Sequence, residues 1–415
     1  MEKTFPIGPE WINKLLNWSD GLYPYIAYFD PHSIAYPYDG FAHLFFAGEK
    51  SISLEHLKDV PENLEKVGIL SYDLKNHYES LYSKNTALVN CDDSVFFIPT
   101  LKIKLTPDQA IISNDRPDEI FEQISAYTPS VAIHKDPVIS SCTTKENYID
   151  TVKRIKNHIV EGDIYEMNYC MAFSGKFESI DVVQTYFNLS QNSPMPFGTF
   201  FKAEGKYVVG ASPERFLKKT REKIIAQPIK GSIKRGQSVA EDEELVRQLQ
   251  NSEKERAENL MIVDLMRNDL SKISETGKVQ VEELFGIYSF KRISQMISTV
   301  SSTLMKGVTF EGIIKSTFPM GSMTGAPKIR CMELIDQYEN FRRGWFSGAI
   351  GYITAEQDFD FNVVIRSIVI DQAEGKLFFA VGSAITYDAD PLQEYEECLL
   401  KAQPIFEALA GKSGS

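Results

Sequence analysis

Four β-type segments follow one another in the middle of the chain: DIYEMNYCMAF, FGTFFKAEG, KYVVGA and KIIAQPIKG. Read by residue type, they come in succession with no helix between them. Strands in such a succession pair antiparallel, because a parallel pair needs a crossover of a dozen or more residues. This excludes a doubly wound sheet and predicts an α+β fold. At 415 residues the chain is too long for one small core, so two domains or one large elaborated one are expected.

Upstream, WINKLLNW (11–18) has helix spacing, while SIAYPYDGFAHLFFAG (33–48), KVGILSYDL (66–74) and SVFFIPTLKIKLT (94–106) read as strands. The stretch 128–142, with prolines at 129 and 137, reads as a connection. The texture then changes, and ENYIDTVKRIKNHIVEG (146–162) is an amphipathic helix closed by Gly162. The expected division is an N-terminal region, 1–137, packed on a core of 138–410, with GKSGS (411–415) as a disordered tail.

A later helix starts at Ser252, three residues before Glu255, in a capping-box arrangement. Its apolar residues 260–263, 265 and 266 cover most of the circumference and predict burial on several sides. Asp390-Pro391 opens the last helix.

Composition narrows the partners. The net charge of −13 speaks against nucleic acid, which requires a concentrated basic surface. An anionic ligand would need cations or a metal gathered locally. No run of 18 apolar residues predicts a membrane span, and the first residues do not read as a secretory signal. Five scattered cysteines without metal-type spacing predict a reducing, cytoplasmic setting.

Several stretches can carry chemistry. Glu255 and Glu258 share a helix face, as do Glu394 and Glu397 on the last helix. Such pairs are ordinarily solvated surface, yet two of them on two helices can converge on a hard cation such as Mg²⁺. Asp264 is expected to pair with Arg267. FPMGSMTGAPKIR (318–330) is glycine-rich but lacks phosphate-loop spacing, leaving a carboxylate-binding loop or a plain turn before a helix near Ala326-Pro327. Arg366 stands mid-strand in FNVVIRSIVID (361–371), either facing solvent or buried for bidentate carboxylate binding. Lys230, in the turn QPIKG, reads on its own residues as an exposed turn lysine. No histidine pattern for zinc and no G-x-S-x-G elbow is found.

Taken together, SPERF (212–216), PIKGS (228–232), KERAENLMIVDLMRNDL (254–270), MGSMTGAPKIRCMELID (320–336), GAIGYI (348–353) and EYEECLLKA (394–402) closely resemble the chorismate-utilising family of anthranilate, isochorismate, salicylate and aminodeoxychorismate synthases. The likeness runs from about residue 143 to 405 in consistent order, and GILSYDL (68–74) extends it upstream. It implies two antiparallel sheets packed as a sandwich, helices outside, and a ligand cleft between them.

Within the family, Pro-Ile-Lys-Gly resembles the aminodeoxychorismate-forming members, whereas anthranilate synthases usually carry alanine at the lysine position. The resemblance implies that Lys230 attacks C2 of chorismate as the C4 hydroxyl leaves, and that ammonia then enters at C4, giving 4-amino-4-deoxychorismate. Lys234, Arg235 and Mg²⁺ would lower its pKa. It implies that Glu214 is the general acid, and that Glu258 and Glu397 bind Mg²⁺ directly with Glu255 and Glu394 acting through water. It assigns Arg366 and Tyr352 to a substrate carboxylate, Gly382, Ser383 and Ala384 to an amide-donating loop, and Thr324, Gly325 and Lys401 to the substrate region. No glutaminase segment or lyase domain is recognised, so ammonia would come from solution or from a glutamine amidotransferase subunit. The rivals are an anthranilate synthase component and a non-catalytic chorismate-binding regulatory subunit. The chain departs from the common pattern at Glu166 (usually Gln), Gln295 (usually His) and Ala384 (usually Gly).

Overall fold

The computed structural model describes residues 1–130 and 134–410. The tail expected at 411–415 lies outside them, as do residues 131–133 of the expected connection. Two sheets, of twelve and ten strands, form the fold, and the paired strands within them run antiparallel. Both take strands from either side of residue 138. Tyr25–Asp30 pairs with Phe197–Ala203 in the larger sheet, and Lys66–Leu70 pairs with Ala349–Ile353 in the smaller.

The two-residue period of a strand explains the layering. Along Tyr25–Asp30, Tyr25, Ala27 and Phe29 face a core shared by both sheets, while Ile26 and Tyr28 face a second core. The second core is closed by helices Trp11–Asp20, Lys145–Val160, Val182–Asn192 and Pro391–Leu409. Two sheets packed face to face with helices outside is the α+β sandwich expected. Among the described residues, no helix is long and apolar enough to cross a membrane.

Several local expectations are corrected. The helix Val182–Asn192 separates the strands Glu166–Lys176 and Phe197–Ala203. Its apolar residues recur at 182, 183, 186 and 189, a helical stripe, and Asp181 caps it by accepting from the Gln184 N–H. In the stretch 33–48 only Leu44–Gly48 is strand; His32, Ser33, Tyr38 and Asp39 have positive φ, which breaks any ladder. Ser252 does cap its helix, accepting from the Glu255 N–H at 3.3 Å, and Asp264 pairs with Arg267 at 2.7 Å. That helix, Glu253–Ser271, is buried along one side only: Ile262, Val263, Met266 and Leu270 are in the core, but Leu260 is 44% exposed.

Of the links that cross from one sheet to the other, three correct or place sequence readings. SVFFIPTLKIKLT splits at Pro99 into Ser94–Phe97 in the smaller sheet and Leu101–Leu105 in the larger, because proline cannot donate to a ladder. FNVVIRSIVID likewise splits into Phe359–Val363 and Ser367–Asp371, with Arg366 at φ +48° in the link. Arg366 is therefore not mid-strand. The third crossing runs from Lys206–Ser212 through Pro213-Glu214 to Arg215–Thr220. The second and third are tied together where the Val363 N–H donates to the Glu214 carbonyl at 3.0 Å.

Candidate active site

A cavity of about 340 Å³ opens beside these last two crossings. A strand that changes sheets must leave its ladder, and the residues at the break are free to turn side chains into the gap between sheets. Glu214 and Arg366 both line the cavity from such breaks.

Lys230 enters from the other side. It lies on Ile229–Lys234, whose pairing with Ile293–Thr303 shifts register between Ile229 and Ser232. Such an irregularity re-aims a side chain. Gly231 completes the turn at φ +87°, and a Cβ there would meet Glu255 Oε2 at 2.9 Å. The Lys-Gly pair thus turns an amine inward and lets a helix carboxylate approach. Lys230 is 9% exposed, and its Nζ lies 2.7 Å from Glu166 Oε1. Burial pushes its pKa down, but Glu166, Glu258 and Glu214 outweigh that and hold it above the ordinary lysine range. The expected lowering by Lys234 and Arg235 is corrected. Lys234 is exposed, and Arg235 forks onto Asp242 at 2.6 and 2.7 Å.

Glu214 is 5% exposed. Burial pushes its carboxyl up to about 7, against the opposing pull of the Ser322 hydroxyl, Lys230 and the Ile229 N–H. A carboxylic acid that keeps its proton near neutrality can donate it.

The four glutamates line the cavity from two helices. Burial pushes Glu258 up to about 7 and raises Glu255 and Glu394 above the ordinary range. Burial also pushes Glu397 up, yet Lys401 and Lys254 outweigh it and leave it low. Lys254 stands between the helices, 3.9 Å from Glu258 and 3.5 Å from Glu394, and Lys401 holds Glu397 at 2.7 Å and the Gly382 carbonyl at 2.9 Å. Among the described residues, the group of three whose ligand atoms all fall within 4.8 Å is elsewhere, at His158, Glu161 and Asp163, with Glu161 and Asp163 exposed. The four glutamates are spaced more widely, with ammonium groups among them. As a donor set they still suit a hard divalent cation: oxygen-only, and raised in pKa where two of them are buried.

Arg366 has no carboxylate partner among the described residues, and burial pushes its guanidinium down to about 10. An arginine without an acid in a cavity wall is suited to an anionic ligand. Gly382, Ser383 and Ala384 line the same wall. Tyr352 does not: it packs in the aromatic core with Phe29, Phe41 and Phe46, and Phe346 from the same loop-strand unit lines the cavity. Thr324 and Gly325 also lie off the wall. Thr324 is fully buried, its hydroxyl donating to Met320 O and Gly321 O, and Gly325 pairs with Met167; their neighbours Ser322 and Met323 face the cavity. Sequence reasoning passed over Asn168, whose strand neighbours gave no signal, and Lys254, which its four-residue spacing to Glu258 could have revealed.

A family model described as chorismate binding enzyme matches residues 38–407. The chain is 39% identical over 282 residues to a probable aminodeoxychorismate synthase, chloroplastic, of Oryza sativa, covering 67% of this chain and 31% of that protein. It is 30% identical over 359 residues to aminodeoxychorismate synthase component 1 of Escherichia coli, covering 85% of this chain and 79% of that one. It thus spans about a third of the rice protein and most of the bacterial one. Anthranilate synthase component I from Streptococcus pneumoniae has the same fold, with a TM-score of 0.76 at 22% identity over 98% of this chain and 92% of that chain. With the inward lysine, the raised glutamic acid and the two glutamate helices grouped about one cavity, and the family model spanning nearly its whole length, the chain belongs to the chorismate binding enzymes.

Proposed function

We propose that this chain is an aminodeoxychorismate synthase component, aminating chorismate to 4-amino-4-deoxychorismate with ammonia from solution or from a glutamine amidotransferase partner. The observation that carries the reading is Lys230, an amine turned into the same cavity as a Glu214 carboxyl raised to about 7. An anthranilate-forming enzyme bonds ammonia to the ring directly and has no use for a nucleophilic lysine. The names of the rice and bacterial relatives support the same choice.

In this reading Arg366 takes a carboxylate of the substrate, and the N–H groups near Gly382–Ala384 orient it. Lys230 supplies the nucleophilic pair at ring C2. Glu214 gives its proton to the C4 oxygen, which departs as water. Ammonia then bonds to C4, and the lysine leaves with its electron pair. Glu258 and Glu397, helped by Glu255 and Glu394, would hold Mg²⁺, whose charge when bound would neutralise a substrate carboxylate among these acids. The five unpaired cysteines suit the reducing cytoplasm as the setting.

The test is incubation of the purified chain with chorismate, ammonium and Mg²⁺, with and without a lyase that releases p-aminobenzoate. Lyase-dependent p-aminobenzoate is expected. Fluorescent anthranilate in its place would assign the chain to the rival synthase, and unchanged chorismate would make it a binding protein.

A further inference from the structure

The nucleophile in the proposed reaction must be an uncharged amine, and Lys230 is not one at rest. Its Nζ is ion-paired to Glu166 at 2.7 Å, with the two side chains 9% and 1% exposed. The pair bridges the two sheets. Glu166 opens the strand Glu166–Lys176 of the larger sheet, held by pairing to Ala326, and Lys230 belongs to the smaller. No other ion-pair partner stands within 4.0 Å of Lys230 among the described residues, and the Glu166 carboxylate has no other polar contact among them.

We propose that Glu166 is the base that takes the Lys230 proton, a catalytic residue of this site. The inference rests on the reading of Lys230 as nucleophile. The other acids that face Lys230 are committed elsewhere. Glu214 is the proton donor to the leaving oxygen, and Glu255, Glu258 and Glu397 form the cation-binding side. Lys254 and Lys234 are cations, and the Cys331 thiol donates to the Glu166 main-chain carbonyl at 3.2 Å, leaving the carboxylate to Lys230.

The step balances without an outside reagent. One Nζ–H bond breaks, its proton passes to a Glu166 oxygen, and the electron pair stays on nitrogen. That pair bonds to ring C2, the two ring double bonds shift, and the C4–O bond breaks as the oxygen takes the Glu214 proton and leaves as water. Nζ is then a secondary ammonium. When ammonia bonds to C4 the double bonds shift back, Nζ departs with its pair as a neutral amine, and Glu166 returns the stored proton. A glutamine at this position can accept a hydrogen bond but cannot hold that proton.

The test compares wild type, Glu166→Gln, Glu166→Asp and Lys230→Ala as full chains with chorismate, ammonium and Mg²⁺. A second readout is pH-dependent labelling of Lys230 by trinitrobenzenesulfonate, read by mass spectrometry. Glu166→Gln is expected to lower kcat about a hundred-fold or more, with KM for chorismate within about three-fold. Its Lys230 should label at lower pH than in wild type, because the carboxylate that retains the proton is gone. Glu166→Asp, which keeps a carboxylate, should recover at least about ten-fold of that loss. Undiminished kcat in Glu166→Gln would overturn the proposal, and so would identical labelling curves or an aspartate variant no better than glutamine. Lys230→Ala separates the two readings: full turnover there would remove the nucleophile itself, whatever Glu166 does.

Discussion

Lys254 reaches from the first turn of its helix to Glu394 on the last helix, with 3.5 Å between nitrogen and oxygen and 140 residues of sequence between them. The same ammonium lies 3.9 Å from Glu258. It is thus a built-in counter-ion for the acids proposed to hold Mg²⁺, and it would compete with that cation.

Replacing Lys254 by methionine should therefore tighten Mg²⁺ binding. The side chain is 44% exposed, so screening leaves about 1 kcal/mol of the competition, or roughly five-fold in Kd. Isothermal titration of the two proteins with Mg²⁺ checks this, and a weaker Kd in Lys254→Met would contradict it.

Lys230→Ala should abolish lyase-dependent p-aminobenzoate formation by about two orders of magnitude or more while leaving the fold intact. Product analysis beside a circular dichroism spectrum reads both parts. Alanine keeps the backbone N–H and C=O of the position, so the substitution breaks no ladder bond.

Glu214 makes stability depend on pH. Its folded pKa, about 7, lies above the ordinary 4.5, so the fold favours the protonated form. The contribution is complete below about 4.5 and is lost as pH rises through about 7, up to roughly 3 kcal/mol. Glu214→Gln, neutral at every pH, should lessen the fall in Tm between pH 5 and 8, leaving the part that the likewise raised Glu258 contributes. It should also lose the proton donor, lowering kcat by about 10²-fold or more. A fall in Tm as steep in Glu214→Gln as in wild type would refute the assignment.

Arg366→Met should raise KM for chorismate by about ten-fold or more, since its guanidinium has no carboxylate partner among the described residues and is suited to one on the substrate. Steady-state kinetics at saturating ammonium measures it.

Tyr352→Ala should do the opposite. It removes a ring from the Phe29, Phe41 and Phe46 cluster, costing about 3 kcal/mol of stability, and should leave KM within about two-fold. Denaturant unfolding and kinetics on one preparation separate the two effects.

Much was legible in the order of residues. The amphipathic stripe of Lys145–Val160 follows from the helical period, and the capping serine and aspartate at Ser252 and Asp390 act within three residues of themselves. Motif spacing likewise brought Lys230, Glu214 and the glutamate pairs to notice, since each lies in a short recognisable run. The helix Val182–Asn192 carries its stripe and its cap in sequence, but the β-rich segments on either side mask them.

What the chain's order could not decide was which residues meet. Tyr352 and Phe346 are six apart, and only sheet packing sends one to the aromatic core and the other to the cavity. Arg366 reads as mid-strand until the chain is seen to leave one sheet for the other there. The protonation of Lys230 is likewise a tertiary matter: its sequence neighbours are cations that do not pair with it, and the carboxylate that holds its proton comes from 64 positions away on the opposite sheet. Local forces fix periodicity and caps, whereas charge and burial depend on distance in space, which only the packed sheets set.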